Sequence, residues 1–144
     1  MKRREMMPSD FVSITHVDGH IVEEMQRQNL ILLARAHIAK GPCATIEEGG
    51  RILVCGGVWV RWPGCAEAWV RFSLPTGPRV AWEVRDILQG WIKSEKLDRV
   101  DATTQVDWQE GRKFLEWMGM RFECIMRKYG PDGMDKALYS WVSE

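Results

Sequence analysis

Arg99-Val-Asp-Ala-Thr-Thr-Gln105, Val106-Asp-Trp-Gln-Glu-Gly-Arg-Lys-Phe-Leu-Glu-Trp-Met-Gly-Met120 and Arg121-Phe-Glu-Cys-Ile-Met-Arg-Lys-Tyr129 run into Gly130-Pro-Asp-Gly-Met-Asp-Lys-Ala-Leu-Tyr-Ser-Trp-Val142. The reading of this stretch decides the fold. Arg99 to Thr104 has the composition of a strand. Asp107 to Met118 carries apolar residues at helical spacing. Two further strands follow, separated by Gly130-Pro-Asp-Gly133, which is strong turn chemistry.

Upstream, Leu74-Pro-Thr-Gly-Pro-Arg79 reads as a loop and about Pro78 to Lys96 as a long helix. Its apolar positions are Val80, Trp82, Val84, Ile87, Leu88, Trp91 and Ile92. Pro78 suits the first helical turn, where a missing N–H costs nothing. Ala66 to Leu74 reads as a strand with Ala68, Val70 and Phe72 alternating against Glu67, Trp69, Arg71 and Ser73. Pro63-Gly64 turns the chain before it. Arg51 to Trp62 is a longer strand in which Gly56-Gly57 marks a bulge or a close backbone approach. The two glycines of Glu47-Glu-Gly-Gly-Arg51 join it to a strand over Cys43–Glu48. Leu30 to Lys40 is a helix ended by Gly41-Pro42. His16 to Gln28, with Val17, Ile21, Val22 and Met25, predicts another helix, and Phe11–Thr15 a first strand. The resulting β-α-α-β-β-β-α-β-α-β-β order predicts one α+β domain over 1–144 with a mixed, mostly antiparallel sheet.

The chain has 20 basic and 20 acidic residues, a balance that argues against nucleic acid or an anionic membrane as main partner. No apolar run approaches the roughly 18 residues needed to span a bilayer. Met1 to Pro8 is too polar for a signal peptide, so a cytoplasmic protein is expected. Cys43, Cys55, Cys65 and Cys124 form no Cys-x-x-Cys pair and read as small buried hydrophobes. His16 and His20 flank Asp18 without a third ligand, so no metal is expected. Eight tryptophans spread along the chain point to core and interface, with Trp62 beside Pro63 as a candidate surface contact.

The Arg99–Val142 stretch resembles the C-terminal half of the Gcn5-related N-acetyltransferase (GNAT) superfamily. That wording has Asp-Asn opening a helix, Ala three residues after the Asn, Leu-Tyr one turn later and Gly-Phe at the helix end. Asp107 and Gly119 match, and Phe114 stands where Leu is usual. Trp108 replaces the Asn, Gly111 the Ala, Leu115 the Tyr and Met120 the Phe. Glu67-Ala-Trp69 and Leu115-Glu-Trp-Met-Gly119 are also similar to short GNAT-like chains of tailed phages, some of them internal virion proteins.

The resemblance implies acetyl-coenzyme A in a split between the strands Ala66–Leu74 and Arg99–Thr104. Its pyrophosphate would rest on N–H groups at the start of the Pro78 helix, an anion site by general physics. The family's Gln/Arg-x-x-Gly-x-Gly/Ala falls on Thr76-Gly77-Pro78-Arg79-Val80-Ala81. The implied cofactor contacts are Phe72, Ser73 and Leu74 at the strand end, then Gly77, Arg79 and Val80. Pro75 and Pro78 remove two donors, and Arg79 brings bulk where glycine is usual. For acid–base work the candidates are Glu67 or Asp101 as base, from the strands that carry family bases, and Tyr129 as acid, with Tyr139 the other nearby tyrosine. Leu115, in the usual acid's place, cannot transfer a proton, so slow turnover is expected.

Two functions follow as expectations. One is acetyl transfer from acetyl-coenzyme A to a small-molecule or protein amine. The other is a non-catalytic GNAT-like structural or interaction protein of phage origin, found in host cytoplasm or virion, with a homodimer or virion proteins as partners.

Overall fold

A computed structural model of the protein describes residues 1–14, 16, 17, 20, 21, 27–73 and 77–144. In chain order its main elements are β1 Lys2–Glu5, α1 Pro8–Ser13, β2 His16–Val17, β3 His20–Ile21, α2 Arg27–Lys40, β4 Cys43–Glu48, β5 Arg51–Trp62, β6 Cys65–Phe72, α3 Pro78–Ser94, β7 Arg99–Gln105, α4 Gln109–Trp117, β8 Arg121–Met126 and β9 Lys136–Val142. Seven strands form one sheet in the order β1-β4-β5-β6-β7-β9-β8. Every neighbouring pair in it is antiparallel except β6 and β7. This is the mixed, mostly antiparallel α+β architecture that the element order predicts.

Strand alternation sorts the core into two layers. Val54 and Val58 of β5, Ala66 and Ala68 of β6, and Val100 and Ala102 of β7 pack with Val80 and Leu88 of α3 and Leu115 of α4. Cys55 of β5 and Trp69 of β6 point the other way, against Phe11 of α1 and Ala34 of α2. One wall of the sheet is therefore α3 and α4, the other α1 and α2.

Turn chemistry lands where the residues place it. Gly49 and Gly50 take φ of 57° and 78°, joining β4 to β5. Gly56 and Gly57 mark close approach and no bulge. A Cβ on Gly57 would lie 2.6 Å from Cys43 Sγ and 2.7 Å from Pro42 O, and one on Gly56 2.7 Å from Trp69 O. The register shifts of β5 fall elsewhere, opposite Ile46/Glu47 and at Val60/Trp62. At the end of α3, Lys96 takes a left-handed φ of 51° and the Leu97 N–H returns to Ile92 O at 2.9 Å, closing the helix two residues before Lys96.

Two expectations for the first thirty residues fail. Phe11 to Ser13, read as strand, ends α1 instead, and the first strand is Lys2–Glu5 against β4. Pro8 opens the helix, and Asp10, 4% exposed, overrides the alternation. It accepts the Met7 N–H at 2.8 Å, the Thr45 hydroxyl at 2.9 Å and both Arg4 Nη atoms at 2.7 and 2.8 Å. Burial pushes its carboxyl up, but Arg4, the Met7 N–H and Thr45 together hold it below the usual value. The helix over His16–Gln28 is also replaced: His16–Val17 pairs antiparallel with His20–Ile21, and α2 starts at Arg27. Gly19 lies inside the predicted helix and weakens it. Residues 15, 18, 19 and 22–26 lie outside the described ones.

Burial raises the thiol pKa of half-buried Cys43 to about 11 and of Cys55 to about 12; Cys55 and Cys65 are the small buried hydrophobes expected. Cys124, expected inside, is exposed on the edge strand β8. Trp62 is 61% exposed. No described helix is long and apolar enough to cross a membrane.

Candidate active site

The parallel pairing of β6 with β7 is short. It covers Cys65↔Arg99, Ala66↔Val100 and Glu67↔Asp101 and then stops, although β6 continues to Phe72 and β7 to Gln105. Beyond Glu67 and Asp101 the strands part. A cavity of about 660 Å³ fills the opening and is lined from both walls of the sheet, by Phe11, His37 and Trp69 on one side and Val84, Phe114 and Leu115 on the other. The open edge of β6 carries donors. The Ser73 N–H bonds Leu53 O at 2.9 Å, toward β5, so alternation turns the N–H groups of Phe72 and Val70 toward the gap.

At one end of this cleft stands the N-terminus of α3. Gly77 is the N-cap in extended conformation and Pro78 the first helical residue. The Val80 N–H is partly used, reaching Gly77 O at 3.2 Å. The Arg79 N–H belongs to the unpaired first turn, and its side chain is exposed. Helix α4 closes the same wall. It begins at Gln109 with Trp108 as N-cap, two residues later than the predicted Asp107. Trp108 folds back onto Gly111: a Cβ there would lie 2.5 Å from Trp108 Cε3 and 2.5 Å from Thr104 Oγ1. The two departures from the family wording at these positions are thus one packing event, an indole occupying the space of a methyl group. The Thr104 hydroxyl, buried at the cleft, has no hydrogen-bond partner among the described residues.

The opposite wall is aromatic and charged. The His37 ring centroid lies 4.5 Å from that of Trp69, 5.0 Å from Trp59 and 5.8 Å from Phe11. Its Nδ1 is 2.9 Å from Leu33 O, so Nδ1 carries the hydrogen and Nε2 the lone pair. Burial lowers the His37 pKa, and Arg71 adds to that lowering against the opposing pull of Glu67 and the Leu33 carbonyl. The Arg71 guanidinium is buried 4.0 Å from the Phe11 ring centroid and donates to Ile14 O at 3.1 Å.

The predicted site residues divide. Glu67, Phe72 and Gly77 line the cleft. Glu67 sits at the last rung before the split, where Arg61 bridges it at 2.9 Å to Asp101 at 2.5 Å. Ser73 lies at the strand end, its hydroxyl accepting from Arg51 at 3.4 Å. Arg79 and Val80 stand beside the cleft on the first turn of α3. Leu74, with Pro75 and Thr76, lies outside the described residues. Tyr129 is in the turn after β8, 53% exposed and away from the cleft lining. Tyr139 is fully buried in β9; its hydroxyl accepts from Arg112 Nε at 3.1 Å and donates to Glu116 at 3.3 Å. Leu115 lines the cleft without a titratable group. His37 carries no sequence signal of a site residue, because only the fold brings α2 to the split. No cluster of metal-ligating side chains occurs among the described residues.

No protein-family model matches the sequence, and no curated protein matches it. Solved structures do. Ard1 from Thermoplasma volcanium aligns with a TM-score of 0.80 at 13% identity, over 99% of this chain and 97% of that one. The putative acetyltransferase yncA from Salmonella typhimurium, with its cofactor acetyl-CoA, aligns at 0.76 and 14% identity, over 99% and 94%. A GNAT-family acetyltransferase from Bacillus anthracis aligns at 0.71 and 15% identity, over 97% and 93%. The chain therefore has the GNAT fold, from end to end.

Proposed function

We propose that the protein transfers an acetyl group from acetyl-coenzyme A to an amine. One observation carries this reading: the pairing of β6 and β7 ends after three residue pairs, and the gap opens beside the free N-terminus of α3. A thin, extended amide chain would fit between two strand edges that present unpaired N–H groups, and its phosphates would meet the Arg79 N–H and guanidinium. The cleft is large enough for such an arm and for an acceptor entering from the α1/α2 wall. The neighbours' acetyltransferase names support the same chemistry. Acetyl-coenzyme A supplies an activated thioester. The chain's own part is to hold it, to exclude water with Phe114 and Leu115, and to take a proton from the amine.

A rival reading, a non-catalytic protein on this fold, rests on Leu115 in the usual acid position and on Pro78 in the anion-binding turn. Thiol release from acetyl-coenzyme A, followed with a panel of primary amines, tests between them. Amine-dependent release supports transfer. Release no faster than without protein supports the non-catalytic reading.

A further inference from the structure

The structure assigns His37, on α2, as the group that takes the proton from the acceptor nitrogen; this assignment rests on the acetyl-transfer reading above. The carboxylate expected for that task is poorly placed to do it. Glu67 is ion-paired at 2.9 Å to Arg61, which also binds Asp101, itself paired with Arg99 at 2.7 Å, so the Glu67 carboxylate is already engaged in a salt-bridge network. The tyrosines are elsewhere, Tyr129 exposed in a turn and Tyr139 tied to Arg112 and Glu116. Among the described residues His37 is the only imidazole at the cleft.

Three features suit it to the role. Its Nδ1–H is fixed on Leu33 O, leaving the Nε2 lone pair as acceptor. The ring is clamped edge-on by Trp59 and Trp69, so its orientation is set by packing. Burial lowers its pKa, and Arg71 of β6 adds to that lowering against the Leu33 carbonyl and Glu67 of β6, which Arg61 of β5 pairs; Lys40 of the same helix lies 6.0 Å from the Trp59 ring, and among the described residues of α1 Phe11 faces the ring. A neutral imidazole at neutral pH is a competent base. The same wall describes its acceptor. Arg71 and Lys40 already occupy ring faces of Phe11 and Trp59, so the mouth suits a primary amine on an apolar or aromatic body and disfavours a polycation.

The step balances without a co-reactant. The amine nitrogen forms a bond to the thioester carbonyl carbon and becomes acidic, and His37 Nε2 takes its proton. The carbon–sulfur bond breaks, its electron pair leaves with sulfur, and the proton on His37 neutralises the thiolate. The products are the amide and the free thiol. A base that returns its proton in this way needs no tyrosine at Leu115.

The test uses the full chain, acetyl-coenzyme A and benzylamine, with hydrolysis of acetyl-coenzyme A measured in parallel. In His37→Gln we expect kcat to fall by about 10²–10⁴-fold, the weight of a positioned base, while the acetyl-coenzyme A Kd stays within twofold. Imidazole added to His37→Ala should restore part of the rate. The wild-type hydrolysis rate should rise with pH through a group titrating below the ordinary histidine value, and His37→Gln should lose that rise. Should either variant fold poorly, the wild-type pH profile still decides: a flat profile from pH 5 to 7 overturns the assignment. Binding and turnover that survive unchanged in His37→Gln overturn it too, and leave the acetyl-transfer reading standing. Failure of the wild-type protein to bind acetyl-coenzyme A overturns both.

Discussion

The two walls of the cleft divide the work. The α3/α4 wall offers backbone donors, apolar side chains and a helix N-terminus, but no titratable group that lines the gap except Glu110. The α1/α2 wall is built of Phe11, His37, Trp69 and Arg71, with Glu67 at the edge. One wall can hold a ligand and exclude water, and the other can move a proton. On the proposed reading, that separation lets Trp and Leu stand at 108 and 115, where the GNAT wording has polar residues, without emptying the site of chemistry. A wall whose job is packing tolerates an indole and an isobutyl group.

The comparison can be broken most forcefully at Asp10, which ties α1 to β1 and β4. Asp10→Ala leaves the Thr45 hydroxyl and the Met7 N–H without their acceptor and the Arg4 guanidinium with only Glu47 and the Glu5 carbonyl, and should cost about 3 kcal/mol of stability. Urea unfolding checks it. The pH dependence follows in sign: a carboxyl held low in the folded state stabilises above its unfolded value of about 4, and that support is lost as pH falls through the lower folded value. Asp10→Asn should flatten that acid limb. If the walls are independent, acetyl-coenzyme A affinity of the still-folded fraction stays unchanged.

Arg79→Ala sharpens the holding role. It should weaken acetyl-coenzyme A binding by about 1–3 kcal/mol, the scale of a charge-assisted hydrogen bond, without altering stability. Tighter binding in Arg79→Gly would show instead that the side chain obstructs the phosphates.

Gly111→Ala tests the packing role. The added methyl meets Trp108 and Thr104 at 2.5 Å, and overpacking of about 1–3 kcal/mol outweighs the gain of about 1 kcal/mol in helix propensity. Trp108→Asn in the same chain should recover part of the loss, the share due to the indole, since Thr104 Oγ1 still lies 2.5 Å from the added methyl. Independent effects of the two substitutions would contradict a shared cause. The smallest effect is expected at Leu115→Tyr. If His37 carries the proton both ways, turnover changes by less than about tenfold; a rise of 100-fold or more would mean that the α4 wall lacked an acid.

How much of this was legible in the residues differs by region for physical reasons. From Cys43 onward, glycine and proline mark the turns on either side of Arg51–Trp62, so β4 and β5 have the bounds that Cys43–Glu48 and Arg51–Trp62 predict. The split between β6 and β7 is an implication of the GNAT resemblance; the element order itself points only to their parallel pairing. Before Arg27 the signal misleads: Phe11-Val-Ser alternates like a strand, yet a buried Asp10 network makes it helix. The binding half of the site lies close to the sequence marks, at Phe72 and Gly77. The proposed proton-moving half does not, because His37 carries no motif and meets Trp69 only through tertiary packing.

The central claim is that the opening between β6 and β7 holds acetyl-coenzyme A. Calorimetric titration of the purified protein with acetyl-coenzyme A tests it most directly. The account predicts one site per chain with micromolar affinity, reduced about 5- to 150-fold in Arg79→Ala. No heat of binding at millimolar ligand would contradict it.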